Sequence, residues 1–284
     1  MVSCPVITLD HVSKIYSNGT IALKDLHLTI QEGEFVSLLG PSGCGKSTVL
    51  RLIAGLGKKS SGHISWGEGY DLPDETLKRG RKLAYVFQEA ALMPWATVWD
   101  NVYLPLKLSG ITQRASRSAV AEAIELVDLQ GFERCYPREL SGGMKMRVSI
   151  ARALVTHPEV LLMDEPFGAL DEMTRSRLNS DLLELWHRMN WTVVFVTHNI
   201  YEAVYLSKRV VVMAARPGRV VTEVAIDAPY PRTEEFRTSL LYNEYCRQIS
   251  ACLSQSATGE PGTEQAETGV PNTNMFGSVV SKRI

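Results

Sequence analysis

The spacing of apolar and polar positions changes period several times along the chain, and each change predicts an element. Residues 6–9 and 26–30 alternate apolar and polar, as half-buried strands do. Phe35–Leu39 (FVSLL) is a short buried strand that runs into the glycine-rich stretch 40–45, and a helix is predicted over 46–54. Residues 62–66 and 83–87 read as two more strands. Residues 115–129 (ASRSAVAEAIELVDL) place apolar residues at helical spacing, and a helix from Ser141 runs to about Thr156, where His157-Pro158 stops it. Strands at 160–163 and 192–196 flank a helix over 175–189. Residues 210–213 and 219–225 form a late hairpin around Pro217-Gly218. Buried strands alternating with helices predict an α/β fold with a largely parallel core sheet. The strands near 6–9, 26–30 and 62–66 predict an antiparallel portion beside it.

The pattern changes near Asp227. Thr233 is placed to cap a helix over 234–253 with Phe236, Leu240, Leu241 and Ile249 on one face. After Ser254 the text is rich in Gly, Thr, Ser, Pro and Glu and has no period, so 254–284 is predicted to be a disordered tail. The expected organisation is therefore a main domain over 1–226, a helical extension over 227–253 and the tail.

Composition narrows the function. The 284 residues are 45% hydrophobic and carry 30 basic and 31 acidic side chains, a net charge of −1. That excludes the basic footprint of a nucleic-acid binder. The longest apolar runs, such as 192–196 and 210–215, are too short to span a bilayer, and MVSCPVITLD lacks the pattern of a signal peptide. The five cysteines form no CxxC pair and no His cluster accompanies them, so neither zinc nor a disulfide framework is indicated. A reducing, cytoplasmic setting is expected.

Three stretches carry candidate chemistry. GPSGCGKST at 40–48 matches G-x-x-x-x-G-K-[ST] after a strand and before a helix. Glycines let backbone N–H groups approach phosphate, and the helix N-terminus adds favourable potential. Lys46 is then placed for the β- and γ-phosphates and Ser47 for Mg²⁺. VLLMDE at 160–165 delivers two carboxylates at the end of an apolar strand, with Asp164 suited to Mg²⁺ and Glu165 to polarising water. Ser141-Gly142-Gly143 opens a helix with two residues that each cost roughly 1 kcal/mol against alanine, which makes sense if a phosphate approaches the backbone. Each stretch has a plainer alternative: a glycine turn with a surface lysine, solvated strand-end acids, and a flexible loop.

Taken in this order, the three stretches resemble the ATP-binding cassette (ABC) ATPases, with Walker A at 40–48, LSGG at 140–143 and Walker B at 160–165. The resemblance extends to Gly168-Ala169-Leu170-Asp171 (the D-loop), Thr197-His198 (the switch histidine), Gln88 in YVFQEAALMPW (the Q-loop) and Tyr16 in VSKIY (an aromatic that stacks on adenine), covering about 6–225. It implies a P-loop NTPase fold: a parallel RecA-like core sheet, an antiparallel β subdomain, a helical subdomain at about 88–158 and a short C-terminal extension. It also implies a head-to-tail pair of cassettes burying two ATPs. Tyr16 would stack on the adenine, and Gly40, Pro41, Ser42, Gly43, Cys44, Gly45, Lys46, Ser47 and Thr48 of one chain would then meet Ser141, Gly142, Gly143 and Asp171 of the other. Ser47, Gln88 and Asp164 would hold Mg²⁺, and Glu165 (general base), His198 and Gln88 would carry catalysis. Taken singly, a histidine after a strand is ordinarily a polar strand end, and Tyr16 could simply pack.

ALMPWATVWDNVYLPLKLSG, DEPFGALDEMTR and SKRVVVMAARPGRV are similar to importer ATPases for nitrate, sulfonate, taurine and related small solutes. The resemblance implies two separate transmembrane permease subunits, an extracytoplasmic solute-binding protein and a peripheral place on the cytoplasmic face of the inner membrane. The permease would dock on 88–106, where Met93, Pro94, Trp95, Trp99 and Tyr103 lie, unless those aromatics are core. A soluble non-transport ABC ATPase and an exporter subunit are the alternatives. Three residues depart from the common pattern. Met144 replaces a glutamine. Asn199 replaces an aspartate, with Asn199 and Glu202 still suited to a helix start. Cys44 stands inside the P-loop, where a thiol reagent is expected to reach it and Mg-ATP to protect it. The substrate is not legible in this chain.

Overall fold

The computed structural model describes residues 5–67 and 83–258. Strands β1 (Pro5–Ile15), β2 (Ile21–Gln31) and β4 (Ser61–Trp66) form an antiparallel sheet in the order β2-β1-β4. The main sheet has six strands. In spatial order they are β5 (Leu83–Val86), β6 (Val160–Asp164), β7 (Thr192–Thr197), β3 (Phe35–Leu39), β8 (Arg209–Ala214) and β9 (Arg219–Ala225). The first five run parallel and β9 returns antiparallel to β8 as the predicted hairpin. Every residue of β3, β6 and β7 is buried, which is why these strands read as continuous apolar runs. Their register sets Leu39 beside Thr197 and Asp164 beside Val196. The carboxyl ends of β3, β6 and β7 therefore lie side by side, the usual place for a site in such a sheet.

The helices are α1 (Lys46–Ile53), α2 (Val98–Leu108), α3 (Arg117–Leu126), α4 (Gly142–Leu154), α5 (Glu172–Met189), α6 (Ile200–Leu206), α7 (Glu234–Thr238) and α8 (Leu240–Thr258). Helices α2, α3 and α4 pack through Val98, Val102, Leu106, Val120, Ile124 and Val148. The pattern reading did not predict α2. Its buried Val98, Val102 and Leu106 have helical spacing, but Pro105 lies inside it. Thr97 caps it by accepting from Asp100 N. Fully buried Asn101 accepts from Met93 N and donates to the carbonyls of Met93, Ala96 and Thr97, so the preceding loop is pinned to the helix.

Several boundaries differ from expectation, among them the early start of β2 at Ile21, and three have a visible cause. Strand β1 reaches Ile15 because bulges break its alternation after Leu9. Helix α5 starts at Glu172 because Asp171 is its N-cap. The single helix expected over 234–253 is two: Ser239 is extended and caps a new helix by accepting from Tyr242 N. That helix passes 253 and runs to Thr258, with Tyr242, Cys246 and Ile249 as its buried residues. Leu240 is instead 81% exposed and Leu241 also faces out. The rest of the predicted tail, from 259, lies outside the described residues.

Candidate functional site

The loop from β3 to α1 is shaped by Gly45, whose φ of 93° is open to glycine and whose added Cβ would stand 2.6 Å from Leu23 Cδ2. Lys46 begins α1 and is only 4% exposed. Its Nζ folds back over the loop, donating to Gly40 O at 2.8 Å and Pro41 O at 3.2 Å, with Glu165 Oε1 at 3.6 Å. Ser47 Oγ donates to Asp164 Oδ1 at 2.7 Å, and Tyr85 OH donates to Asp164 Oδ2 at 3.0 Å. Burial, then the adjacent Asp164 carboxylate, pushes the Tyr85 phenol well above its ordinary pKa, so it stays a donor.

Glu165 follows the end of β6 with φ 46°, a left-handed backbone rare for glutamate. The turn is held by Glu165 N donating to Val196 O and Gly168 N to Glu165 O. The carboxylate lies between two partners, Lys46 on one oxygen and His198 Nδ1 on the other at 2.9 Å. A Cβ on Gly168 would be 3.8 Å from Glu165 Oε2 and 3.9 Å from Gln88 Nε2, so the exposed Gln88 amide lies on the same side of that turn. Tyr16 is exposed, shares a 3.2 Å hydrogen bond with Thr48 Oγ1 and stacks under Lys14 Nζ at 5.1 Å.

The structure thus brings Lys46, Ser47, Asp164, Glu165 and His198 into one cluster, with Gln88 beside it and Tyr16 at Thr48. Ser141, Gly142, Gly143 and Asp171 stand outside it, at the starts of α4 and α5. Ser141 Oγ accepts from Met144 N, and Met144 packs on the cluster containing Val148, Ala151 and Val155. Asp171 accepts from Thr174 N, and that bond holds its carboxyl below the usual range. Gly143 has a reason that sequence did not show. It is buried, and a Cβ there would meet Thr174 Cγ2 at 2.7 Å. The start of α4 is therefore bare partly so that α5 can lie against it.

Two expectations are corrected. The Cys44 side chain is fully buried with Leu38, Val49 and Met213, and burial raises its thiol pKa, so it is shielded from thiol reagents. Only its backbone faces the loop's task. Asn199 caps α6 by accepting from Tyr201 N and Glu202 N, but Glu202 does not complete a capping box. Glu202 turns inward, accepts the Thr197 hydroxyl and lies 3.7 Å from Arg175, and burial chiefly raises its pKa. Arg175 in turn donates to Leu170 O at 2.7 Å and Phe167 O at 3.3 Å. Tyr85 and Arg175 were missed in the sequence, and Glu202 was read only as part of a helix start. A tyrosine in the otherwise apolar LAYV was the one available signal.

In the stretch 88–106, Trp95 is 76% exposed, while Trp99 and Tyr103 pack on the core and Tyr103 OH donates to Ile111 O. Phe87 and Leu108 are also exposed. No helix among the described residues is long and apolar enough to cross a membrane.

Residues 23–168 match the model of the ABC transporter family. The aliphatic sulfonates import ATP-binding protein SsuB of Bacillus cereus is 43% identical over 246 residues, 86% of this chain and 94% of its own. An uncharacterised ABC transporter ATP-binding protein of Methanocaldococcus jannaschii is 45% identical over 246 residues, 86% and 89% of the two chains. Among solved structures, the dimeric ABC transporter cassette MJ0796 aligns with a TM-score of 0.67 and 36% identity over 78% of this chain and 100% of its own. The same cassette has also been solved in a post-hydrolysis state bound to ADP and Pi. The chain cbiO1 of Clostridium perfringens, part of the ABC transporter complex cbiONQ, aligns at TM-score 0.72 and 27% identity over 87% and 99%.

Proposed function

The chain belongs to the ABC transporter family of ATP-binding, ATP-hydrolysing subunits, and we propose that it energises import of a small solute of the nitrate, sulfonate or taurine class. The observation that carries the catalytic reading is the placement of Glu165 between Lys46 and His198, beside the Ser47–Asp164 pair. ATP enters with its phosphates against the N–H groups of 40–48, and Lys46 exchanges the carbonyls of Gly40 and Pro41 for phosphate oxygens. Tyr16 presents its ring to the adenine. Ser47 Oγ and Asp164 Oδ1 are hard oxygen donors 2.7 Å apart, a set that fits Mg²⁺, and Gln88 would supply a further amide oxygen. When bound, that ion neutralises charge on the phosphate oxygens. Glu165 accepts a proton from the attacking water, and His198 holds the carboxylate and the water in line.

Ser141, Gly142 and Gly143 of a second copy close the site, with Asp171 of that copy against the first P-loop. The dimeric neighbour supports such a pairing. Trp95, exposed within the stretch 88–106, offers an apolar side chain suited to contact with a permease segment. Two permease subunits, a solute-binding protein and a peripheral place on the cytoplasmic face of the membrane complete the assembly. The importing class is supported by the sulfonate-import relatives.

The test is Glu165→Gln. Loss of a general base lowers turnover by about 10²–10⁴, while ATP binding persists and the protein elutes as an ATP-dependent dimer. Hydrolysis within tenfold of wild type, or absence of ATP-induced dimerisation, overturns the reading.

A further inference from the structure

We propose that the outer face of the antiparallel sheet carries a second, separate metal site, for a divalent transition ion of the zinc type, with Asp10, His11 and His27 as ligands and Asp25 behind them. Two consecutive β-bulges build it. Leu9 pairs with Leu28 and Val12 with Leu26, so Asp10 and His11 together oppose His27. Val12 then pairs with Leu26 and Lys14 with Leu23, so Lys24 and Asp25 together oppose Ser13, whose Oγ accepts from Asp25 N. Each bulge holds one non-glycine residue in the left-handed region, His11 at φ 48° and Asp25 at φ 52°. The result turns four exposed side chains of two strands toward one point.

The arrangement is that of a ligand set with its orienting carboxylate. Ligand atoms of Asp10, His11 and His27 lie within 4.8 Å of one another. Asp25 Oδ1 is 2.6 Å from His11 Nδ1 and 3.6 Å from His27 Nε2, so it addresses one nitrogen of each ring. The other nitrogen is left for metal: His27 Nδ1 already faces Asp10 Oδ1 at 3.2 Å, and His11 keeps Nε2. A carboxylate that fixes the tautomer of metal-binding histidines is a recurring outer shell. With metal–ligand bonds of about 2.0–2.2 Å, the three donors need to close by about 1 Å, and side chains half or more exposed have room to do so. Two imidazoles and one carboxylate suit Zn²⁺ and its neighbours rather than Mg²⁺. His63, exposed and paired with Asp10 across β4, brings to three the number of the chain's six histidines on this face. None of the three is a core residue, so packing does not explain their concentration.

Untagged, chelator-treated protein titrated with Zn²⁺ by calorimetry should bind one equivalent with micromolar affinity. Co²⁺ should give d–d absorption without thiolate charge-transfer bands. His27→Gln, and His11→Asn with an asparagine that tolerates the left-handed backbone, should each weaken binding at least tenfold, and Asp25→Asn about 10–100-fold. Circular dichroism of each variant confirms folding. No stoichiometric binding, thiolate bands, or equal affinity in wild type and folded variants overturns the proposal.

Discussion

Replacing Arg232 by alanine should destabilise the whole cassette, although the residue touches none of the nucleotide cluster. The residue is 4% exposed and, among the described residues, its guanidinium has no carboxylate within ion-pair distance. One terminal nitrogen donates to the carbonyls of Val204, Tyr205 and Ser207, each at 2.9 Å, and the other to Ile226 O at 3.3 Å. The first three carbonyls end α6, where helical acceptors lack partners and the dipole is negative. Tyr230 and Phe236 lie with ring centroids 4.2 and 5.2 Å from the guanidinium carbon. Burial without a countercharge lowers the arginine's pKa, a sign that this cation is held at a cost. Leaving three dry carbonyls costs about 1–3 kcal/mol each. Lost stacking adds about 1–2 kcal/mol. Relief of the buried charge returns several kcal/mol. The net loss is about 3 kcal/mol, which in a chain of this size lowers Tm by about 5–10 °C. Calorimetry and urea unfolding followed by circular dichroism measure it. Arg232→Lys, with its charge but fewer donors, should recover roughly half. A loss for Arg232→Ala below about 1 kcal/mol refutes the capping argument.

Two further outcomes follow from the site. Cys44 should be alkylated at least a hundredfold more slowly than half-buried Cys135 or Cys252, by peptide mapping at neutral pH, because its thiol is buried and its pKa raised; comparable labelling in the native protein contradicts the packing described. Tyr16→Phe should keep ATP affinity within about threefold, since only the bond to Thr48 is lost, whereas Tyr16→Ala should weaken it more than fivefold through lost stacking; equal affinities by nucleotide titration remove Tyr16 from the adenine side.

The parts of the fold set by local pattern were legible, because strands buried on both faces and capped helices write themselves into the chain. FVSLL and the strands read at 160–163 and 192–196 are in the main sheet, the last two each one residue longer than read. Motifs with fixed offsets gave Lys46, Ser47, Asp164, Glu165 and His198, which the fold then gathers. What sequence hid depends on tertiary placement. Pro105 masked α2, and Ser239 split a helix whose composition gave no warning. Gly143 was read for a ligand or a flexible loop and not for packing, because Thr174 against its bare Cα belongs to another helix. Asp10, His11, Asp25 and His27 formed no spacing motif, since only bulges bring them together.

The central place of β3 has a consequence for synthesis. The strand is buried along its whole length between β7 and β8, and Gly33 just before it donates to Thr192 Oγ1, 159 residues further on. On the ribosome, the P-loop's strand therefore emerges early and waits about 10–30 s for both neighbours. Throughout that interval FVSLL is an unpaired apolar segment open to wrong partners. Substitutions that slow the pairing of β7 or β8 are expected to lower the yield of active protein without touching a nucleotide contact.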